Sequence, residues 1–164
     1  MCKEWQIDVK GYGLVRISTN LLKRIYKFKQ LESTSPESGG VLIGKHLNSE
    51  GALLIDDLTE PQESDRQGRC QFYRSEGHNS IVNKIWLESN KHSTYVGLWH
   101  THPEPIPDYS CVDKYDWESA LRYSKFEGNR LFFVILGQTH IRIWMGENSS
   151  SKPQILLIGE YQVG

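Results

Sequence analysis

The apolar positions of this chain alternate over short stretches, and three segments of helical period break the alternation. Trp5, Ile7 and Val9 alternate with polar residues, and Leu14-Val-Arg-Ile17 resumes the pattern after the turn Gly11-Tyr-Gly13. Both read as strands. From Asn20 the period lengthens: Leu21, Leu22, Ile25, Tyr26 and Phe28 mark one face, and Lys23, Arg24 and Lys27 the other. A helix capped by Thr19 or Asn20 is expected there, fading by Ser33. Glu37-Ser-Gly-Gly-Val-Leu-Ile-Gly44 is an apolar run bounded by glycines, which suits a short, fully buried strand with Glu37 at its mouth. A hairpin around Asn48-Ser-Glu50 leads to a further strand over Gly51 to Leu58, and Pro61 to Arg69 reads as a mobile polar loop.

The second half follows the same logic. Cys70 to Arg74 is a strand, and Ser75 or Asn79 opens a helix with Ile81, Val82, Ile85, Trp86 and Leu87 on one side. After Asn90-Lys-His-Ser-Thr94, Tyr95 to Trp99 forms a central strand that delivers His100 and His102. Pro103, Pro105 and Pro107 keep the backbone extended until Ser110. A third helix runs from Ser110 to about Phe126, with Val112, Tyr115, Trp117, Ala120, Leu121 and Tyr123 available for packing. Leu131 to Leu136 is a buried strand, His140 to Met145 alternates, and Ile155 to Ile158 closes the sheet. Strands and helices are mixed, with many neighbouring strands joined by hairpins. The expected fold class is therefore α+β (mixed α/β).

Composition narrows the picture further. At 164 residues, with 38% hydrophobic and 24% charged residues, the chain suits one globular domain spanning 1–164. The net charge of −1 removes the electrostatic case for a nucleic-acid partner. The longest apolar run, Leu131 to Leu136, is too short to span a bilayer, so no membrane partner is expected. Met1-Cys-Lys-Glu-Trp-Gln carries charge where a signal peptide is apolar. Cys2, Cys70 and Cys111 make no Cys-x-x-Cys pair and read as reduced thiols of a cytoplasmic protein.

The chemistry concentrates between Gly97 and Trp117. His100 and His102 alternate at the end of an apolar strand, so both imidazoles face one side and can reach one ion. Ser110-x-x-Asp113 has the form of a capping box at a helix start, which would hold Asp113 rigidly as a third ligand. Two His and one carboxylate with an open fourth position is a ligand set for catalytic zinc. Such a site needs a carboxylate to move protons, and Glu37, Glu104, Asp108 and Asp116 are all candidates. Cys111 reads as a small packing residue and not as a nucleophile. His46, His78, His92 and His140 carry no spacing signal and read as surface or supporting residues.

His100-x-His102 followed by Ser110-x-x-Asp113, with Pro103 after the second His and Glu37-Ser-Gly-Gly-Val-Leu-Ile-Gly44 upstream, resembles the JAB/JAMM (MPN+) metalloproteases. The resemblance implies a curved mixed sheet flanked by helices, with one catalytic Zn2+ held by His100, His102 and Asp113. It implies Glu37 as general acid/base, and Ser110 steadying the oxyanion or the water on zinc. The family hydrolyses isopeptide or peptide bonds after the C-terminal residue of ubiquitin-like proteins. Within it the chain is similar to the JAB-type peptidases of CBASS anti-phage operons, which act on nucleotidyltransferase conjugates. The implied partners are a protein with an extended C-terminal tail, lying along an edge strand, and a ubiquitin-transfer-like enzyme of the same operon. Two alternatives stay open. One is a JAB hydrolase processing a sulfur-carrier protein or small peptide conjugate; the other is a non-catalytic MPN interaction module.

Overall fold

The computed structural model describes residues 3–32, 34–47, 52–67 and 72–163. The turn expected at Asn48-Ser-Glu50, Ser33, Cys2 and the Cys70-Gln71 start of a strand lie outside the described residues. In chain order the elements are β1 (Trp5–Val9), β2 (Gly13–Ile17), α1 (Thr19–Tyr26), β3 (Gly39–Leu47), β4 (Ala52–Leu58), β5 (Arg66–Gln67) and β6 (Phe72–Tyr73). They continue with α2 (Gly77–Glu88), β7 (Thr94–Thr101), α3 (Cys111–Tyr123), β8 (Arg130–Leu136), β9 (His140–Glu147) and β10 (Gln154–Gln162).

Eight strands form one mixed sheet in the order β1-β2-β4-β3-β7-β8-β9-β10, with β5 and β6 forming a separate pair. The β2–β4 and β7–β8 pairs are parallel, and the other neighbours in the large sheet are antiparallel. The sheet curls until its edges meet. The Trp5 and Tyr161 rings lie 5.8 Å apart, and a Cβ on Gly159 of β10 would come within 2.7 Å of Ile7 on β1. This is the expected α+β class, a curved mixed sheet with helices on its faces.

Both faces of the sheet are buried because its central strands are apolar at successive positions. Trp99, Leu42, Phe132 and Ile143 join Leu21, Leu22 and Ile25 of α1 in one cluster. Their sequence neighbours Leu98, Val41, Phe133 and Trp144 join Trp117 and Leu121 of α3 in another. Alternation along β7 thus sends Trp99 and Thr101 towards α1, and Leu98 and His100 towards α3. Close packing of β7 on β8 requires Gly97, where an added Cβ would collide with the Phe132 carbonyl.

Several local expectations are corrected. The cap of α1 is Ser18, whose Oγ accepts from Leu21 N at 3.1 Å, and not Thr19 or Asn20. Ser18 still donates its own N–H to Ile55 O, so the helix starts directly at the sheet. It ends at Tyr26, short of Ser33, and Phe28 leaves the helical path to pack on Trp99 at 5.5 Å. Along α2 only His78 is fully buried and Leu87 is exposed, so the expected apolar face is mostly a half-buried flank. Neither Ser75 nor Asn79 caps it: Glu76 holds the cap position with no side-chain bond. The proline loop bends over 103–106 and is tied to the β8–β9 turn, with Pro105 O accepting from Thr139 N and His140 N. Among the described residues, no helix is long and apolar enough to cross a membrane.

Candidate metal centre

β7 and α3 converge on one point because each is positioned by what it buries. On α3 the positions 113, 117 and 121 form a single i, i+4, i+8 stripe. Trp117 and Leu121 are buried, with Trp117 stacked on Phe133 at 4.6 Å, so the same stripe aims Asp113 at the end of β7. The start of α3 is fixed by a reciprocal capping box. Ser110 Oγ accepts from Asp113 N at 3.1 Å, and Ser110 N donates to Asp113 Oδ2 at 2.9 Å. Val112, Tyr115 and Tyr123, expected to be available for packing, are exposed, as is Cys111. One helix face is all that α3 lends to the core.

His100 is the penultimate residue of β7, and His102 N, just beyond the strand, continues the pairing by donating to Leu136 O at 3.0 Å. The two Nε2 atoms face each other at 3.0 Å. Asp113 presents Oδ1 to His100 Nε2 at 3.2 Å and Oδ2 to His102 Nε2 at 3.1 Å. Glu37 Oε1 stands 4.0 Å from His100 Nε2. The donor atoms of Glu37, His100, His102 and Asp113 lie within 4.8 Å of one another. Glu37 and His100 are buried, and the side chains of His102 and Asp113 are only 12% and 14% exposed.

This donor set fits a zinc ion. Two ligands each about 2.0–2.1 Å from a tetrahedral ion lie roughly 3.3 Å apart. The separations of 3.0–3.2 Å among the two imidazoles and Asp113 come close to that spacing. Glu37 stands farther off, at a distance a water can bridge. Glu104 Oε1 accepts from His102 Nδ1 at 3.0 Å, and this turns the Nε2 lone pair towards the cluster.

The electrostatics follow from burial and crowding. Burial pushes the Glu37 carboxyl up to about 8; His102 pulls the other way and Asp113 adds to the rise. Burial lowers the His100 pKa despite its hydrogen bond to Asp113. For His102, burial opposes charge but the bonds to Asp113 and Glu104 prevail, raising the pKa to about 9. Asp113 is driven well below the carboxylate range: burial resists, and the hydrogen bonds from His100 and His102 outweigh it.

The other carboxylate candidates are committed elsewhere. Glu104 orients His102, Asp108 Oδ1 accepts from Tyr109 N at 2.9 Å, and Asp116 pairs with Arg74 at 2.7 Å. The backbone next to Glu37 is braced by a buried network that links Ser38, Thr101 and Gln30. Thr101 Oγ1 accepts from Ser38 N at 2.9 Å and donates to Gln30 Oε1 at 2.8 Å, and Thr101 N donates to Ser38 O at 2.9 Å.

Periodicity gave no hint of this network, nor of a second one. His78 is buried, not at the surface, and its Nε2 donates to Asp65 at 2.8 Å. Its Nδ1 then accepts a hydrogen bond from the Thr59 hydroxyl, 2.6 Å away, whose oxygen accepts from Val41 N. The segment expected as a mobile polar loop is therefore anchored through Asp65, which also accepts from Gln62 N and Ser75 N. No sequence signal marks Asp65 and His78 as partners, since they are thirteen residues apart on different elements.

Known proteins resemble this chain over most of its length. The family model of prokaryotic homologs of the JAB domain matches residues 18–147. A Vibrio cholerae protein named CD-NTase/cGAS isopeptidase is 33% identical over 135 residues, 82% of this chain and 81% of the relative. Proteins of the same name from Escherichia coli and Pseudomonas aeruginosa are 31% and 32% identical, over 81% and 85% of this chain and 81% and 86% of theirs. The solution structure of a Desulfitobacterium hafniense protein matches with a TM-score of 0.51 at 12% identity, covering 86% of this chain and 87% of the other, a likeness of fold.

Proposed function

The chain belongs to the family of prokaryotic homologs of the JAB domain, and from that premise we propose that it is a zinc-dependent isopeptidase, with residues 1–164 as one catalytic domain. Its substrate in this reading is a CD-NTase joined through its C-terminal tail to another protein, as in CBASS anti-phage defence, with a ubiquitin-transfer-like enzyme making the bond. The names of the relatives support the substrate. The chemistry is carried by one observation: Glu37, His100, His102 and Asp113, from distant parts of the chain, converge within 4.8 Å.

His100, His102 and Asp113 would hold the ion. When bound, zinc supplies the Lewis acidity that brings a water's pKa towards neutrality and polarises the scissile carbonyl. Glu37 takes the proton of the attacking water and returns it to the leaving amine. Burial raises the Glu37 carboxyl and a neighbouring dication would pull it back down, so the two effects together would suit a group that must both accept and give a proton. The Ser110 oxygen accepts from Asp113 N at 3.1 Å, which leaves its O–H to donate to the carbonyl oxygen as charge develops there.

The test is cleavage of a CD-NTase whose C-terminus is fused to a fluorescent protein, with zinc content measured in parallel. The wild-type protein should cut the fusion. Glu37→Gln should lower kcat by about a hundredfold to ten-thousandfold while keeping its zinc, and His100→Ala should lose both. A Glu37→Gln protein that cleaves at the wild-type rate would overturn the assignment.

A further inference from the structure

Glu37 stands outside the regular part of the sheet. The β3–β7 ladder opens further along the chain, with Gly39 opposite His100, and Pro36 on the other side has no N–H to offer a neighbour. Yet a proton carrier must stand within hydrogen-bond reach of the water it serves. A displacement of about 1 Å can cost about a hundredfold in rate. Contacts other than strand pairing have to hold this stretch of backbone.

One buried side chain reaches the backbone on both sides of Glu37, and it comes from the segment after α1. Gln30 is 1% exposed, although glutamine is mostly a surface residue. A primary amide in a core costs stability unless its polar atoms are bonded. Here Nε2 donates to Ser35 O at 2.9 Å, ahead of Glu37. Oε1 accepts from Thr101 Oγ1 at 2.8 Å. The same hydroxyl oxygen accepts from Ser38 N at 2.9 Å, directly after Glu37, and Thr101 N donates to Ser38 O at 2.9 Å. An apolar side chain of similar size could fill the space but could bond neither partner.

The same amide residue is tied to the histidines. Gln30 O accepts from Gln138 Nε2 at 2.9 Å, and Gln138 N donates to Glu104 O at 2.8 Å. Glu104 Oε1 in turn accepts from His102 Nδ1 at 3.0 Å. Thr101 itself lies between His100 and His102 in the chain. Hydrogen bonds through Gln30 thus join the backbone around Glu37 to the segment that carries both imidazoles. Resting on the isopeptidase reading above, we propose that Gln30 is the positioning residue for Glu37. Its amide grips Ser35 directly and Ser38 through Thr101, and so sets where the Glu37 carboxylate stands relative to His100 and His102.

Three measurements on the full chain test this, with urea unfolding to confirm the fold. Gln30→Met keeps the length of the side chain and removes both of its bonds. Thr101→Val keeps the shape and cuts only the link to Ser38, so it carries the same test if Gln30→Met does not fold. First, each should lower kcat on the CD-NTase fusion by about tenfold to a hundredfold, with KM and zinc content as in wild type. Second, neither should slow the reaction further in a Glu37→Gln background, because the effect runs through Glu37; a general loss of stability would still slow it. Third, the Ser38 amide should exchange its hydrogen about tenfold faster in either variant, as the loss of a buried hydrogen bond predicts.

Wild-type kcat in both variants, beside a slowed Glu37→Gln protein, would overturn the proposal. So would unchanged Ser38 exchange, or a fall in kcat that persists in full in the Glu37→Gln background. A wild-type protein that cannot cleave the fusion, while both variants speed Ser38 exchange, would sink the isopeptidase reading and leave the clamp standing.

Discussion

Asp113 serves three neighbours with one carboxylate: Oδ1 faces His100, while Oδ2 faces His102 and accepts the Ser110 amide. Its capping role therefore serves its proposed role as a ligand, since the same bond that starts α3 sets the carboxylate's rotation. Asp65 works by a comparable economy in a purely structural setting. Its side chain is fully buried and accepts from Gln62 N, Ser75 N and His78 Nε2. Burial alone would raise its pKa, but these bonds win and hold it below the ordinary value. A depressed folded-state pKa contributes stability above the unfolded value of about 3.9, and that stability fades as pH falls through the folded value. Asp65→Asn should thus cost about 2 kcal/mol at neutral pH. The difference from wild type should shrink in acid, which urea unfolding at pH 7 and pH 3 would reveal. An equal loss at both pH values would contradict the assignment.

At the scale of elements, the strands were legible and the helix faces were not. Every strand of the large sheet falls where alternation or an apolar run predicts it, because the side-chain period of a strand leaves little choice of face; β5, within the segment expected as a loop, does not. For α3 six residues were available to pack and only Trp117 and Leu121 are fully buried; the helix touches one sheet face along one stripe. In α2 the buried residue is a histidine, read from sequence as a surface or supporting residue. The parallel pairing of β7 with β8 depends on Gly97, whose absent side chain leaves room for the Phe132 carbonyl. Gly97→Ala should destabilise by about 3 kcal/mol or more through overpacking, measurable as a lower urea midpoint. A variant with a wild-type midpoint would show that these strands can part without cost.

At the scale of the whole molecule, the metal centre joins parts of the chain that share no local contact. Glu37 precedes β3, His100 lies at the end of β7 with His102 just beyond it, and Asp113 lies in the first turn of α3. An ion binding only the folded state should stabilise it by about 2.7 kcal/mol at a hundredfold excess over its Kd. Added zinc should therefore raise Tm, a chelator should lower it, and Asp113→Asn should lose most of the shift. Glu37→Gln should keep the shift, because Glu37 stands 4.0 Å from His100 Nε2; an equal loss there would make Glu37 a ligand instead of a base.

What the sequence determined by itself was local: the alternation of His100 with His102, the capping box of Ser110 and Asp113, and the glycine-flanked run after Glu37. These follow from strand and helix periods, which act over a few residues. Among four candidate carboxylates it placed Glu37 best, at a strand mouth beside two glycines, without deciding between them, and the resemblance singled out Glu37. The fold sets the four in different surroundings, pairing Asp116 with Arg74, turning Glu104 to His102 and burying Glu37 across from His100. The pairing of His78 with Asp65 and the Thr101–Gln30–Ser38 brace were likewise decided only by tertiary structure. Each joins residues through burial in a shared core, and no local period records which distant segments will meet there.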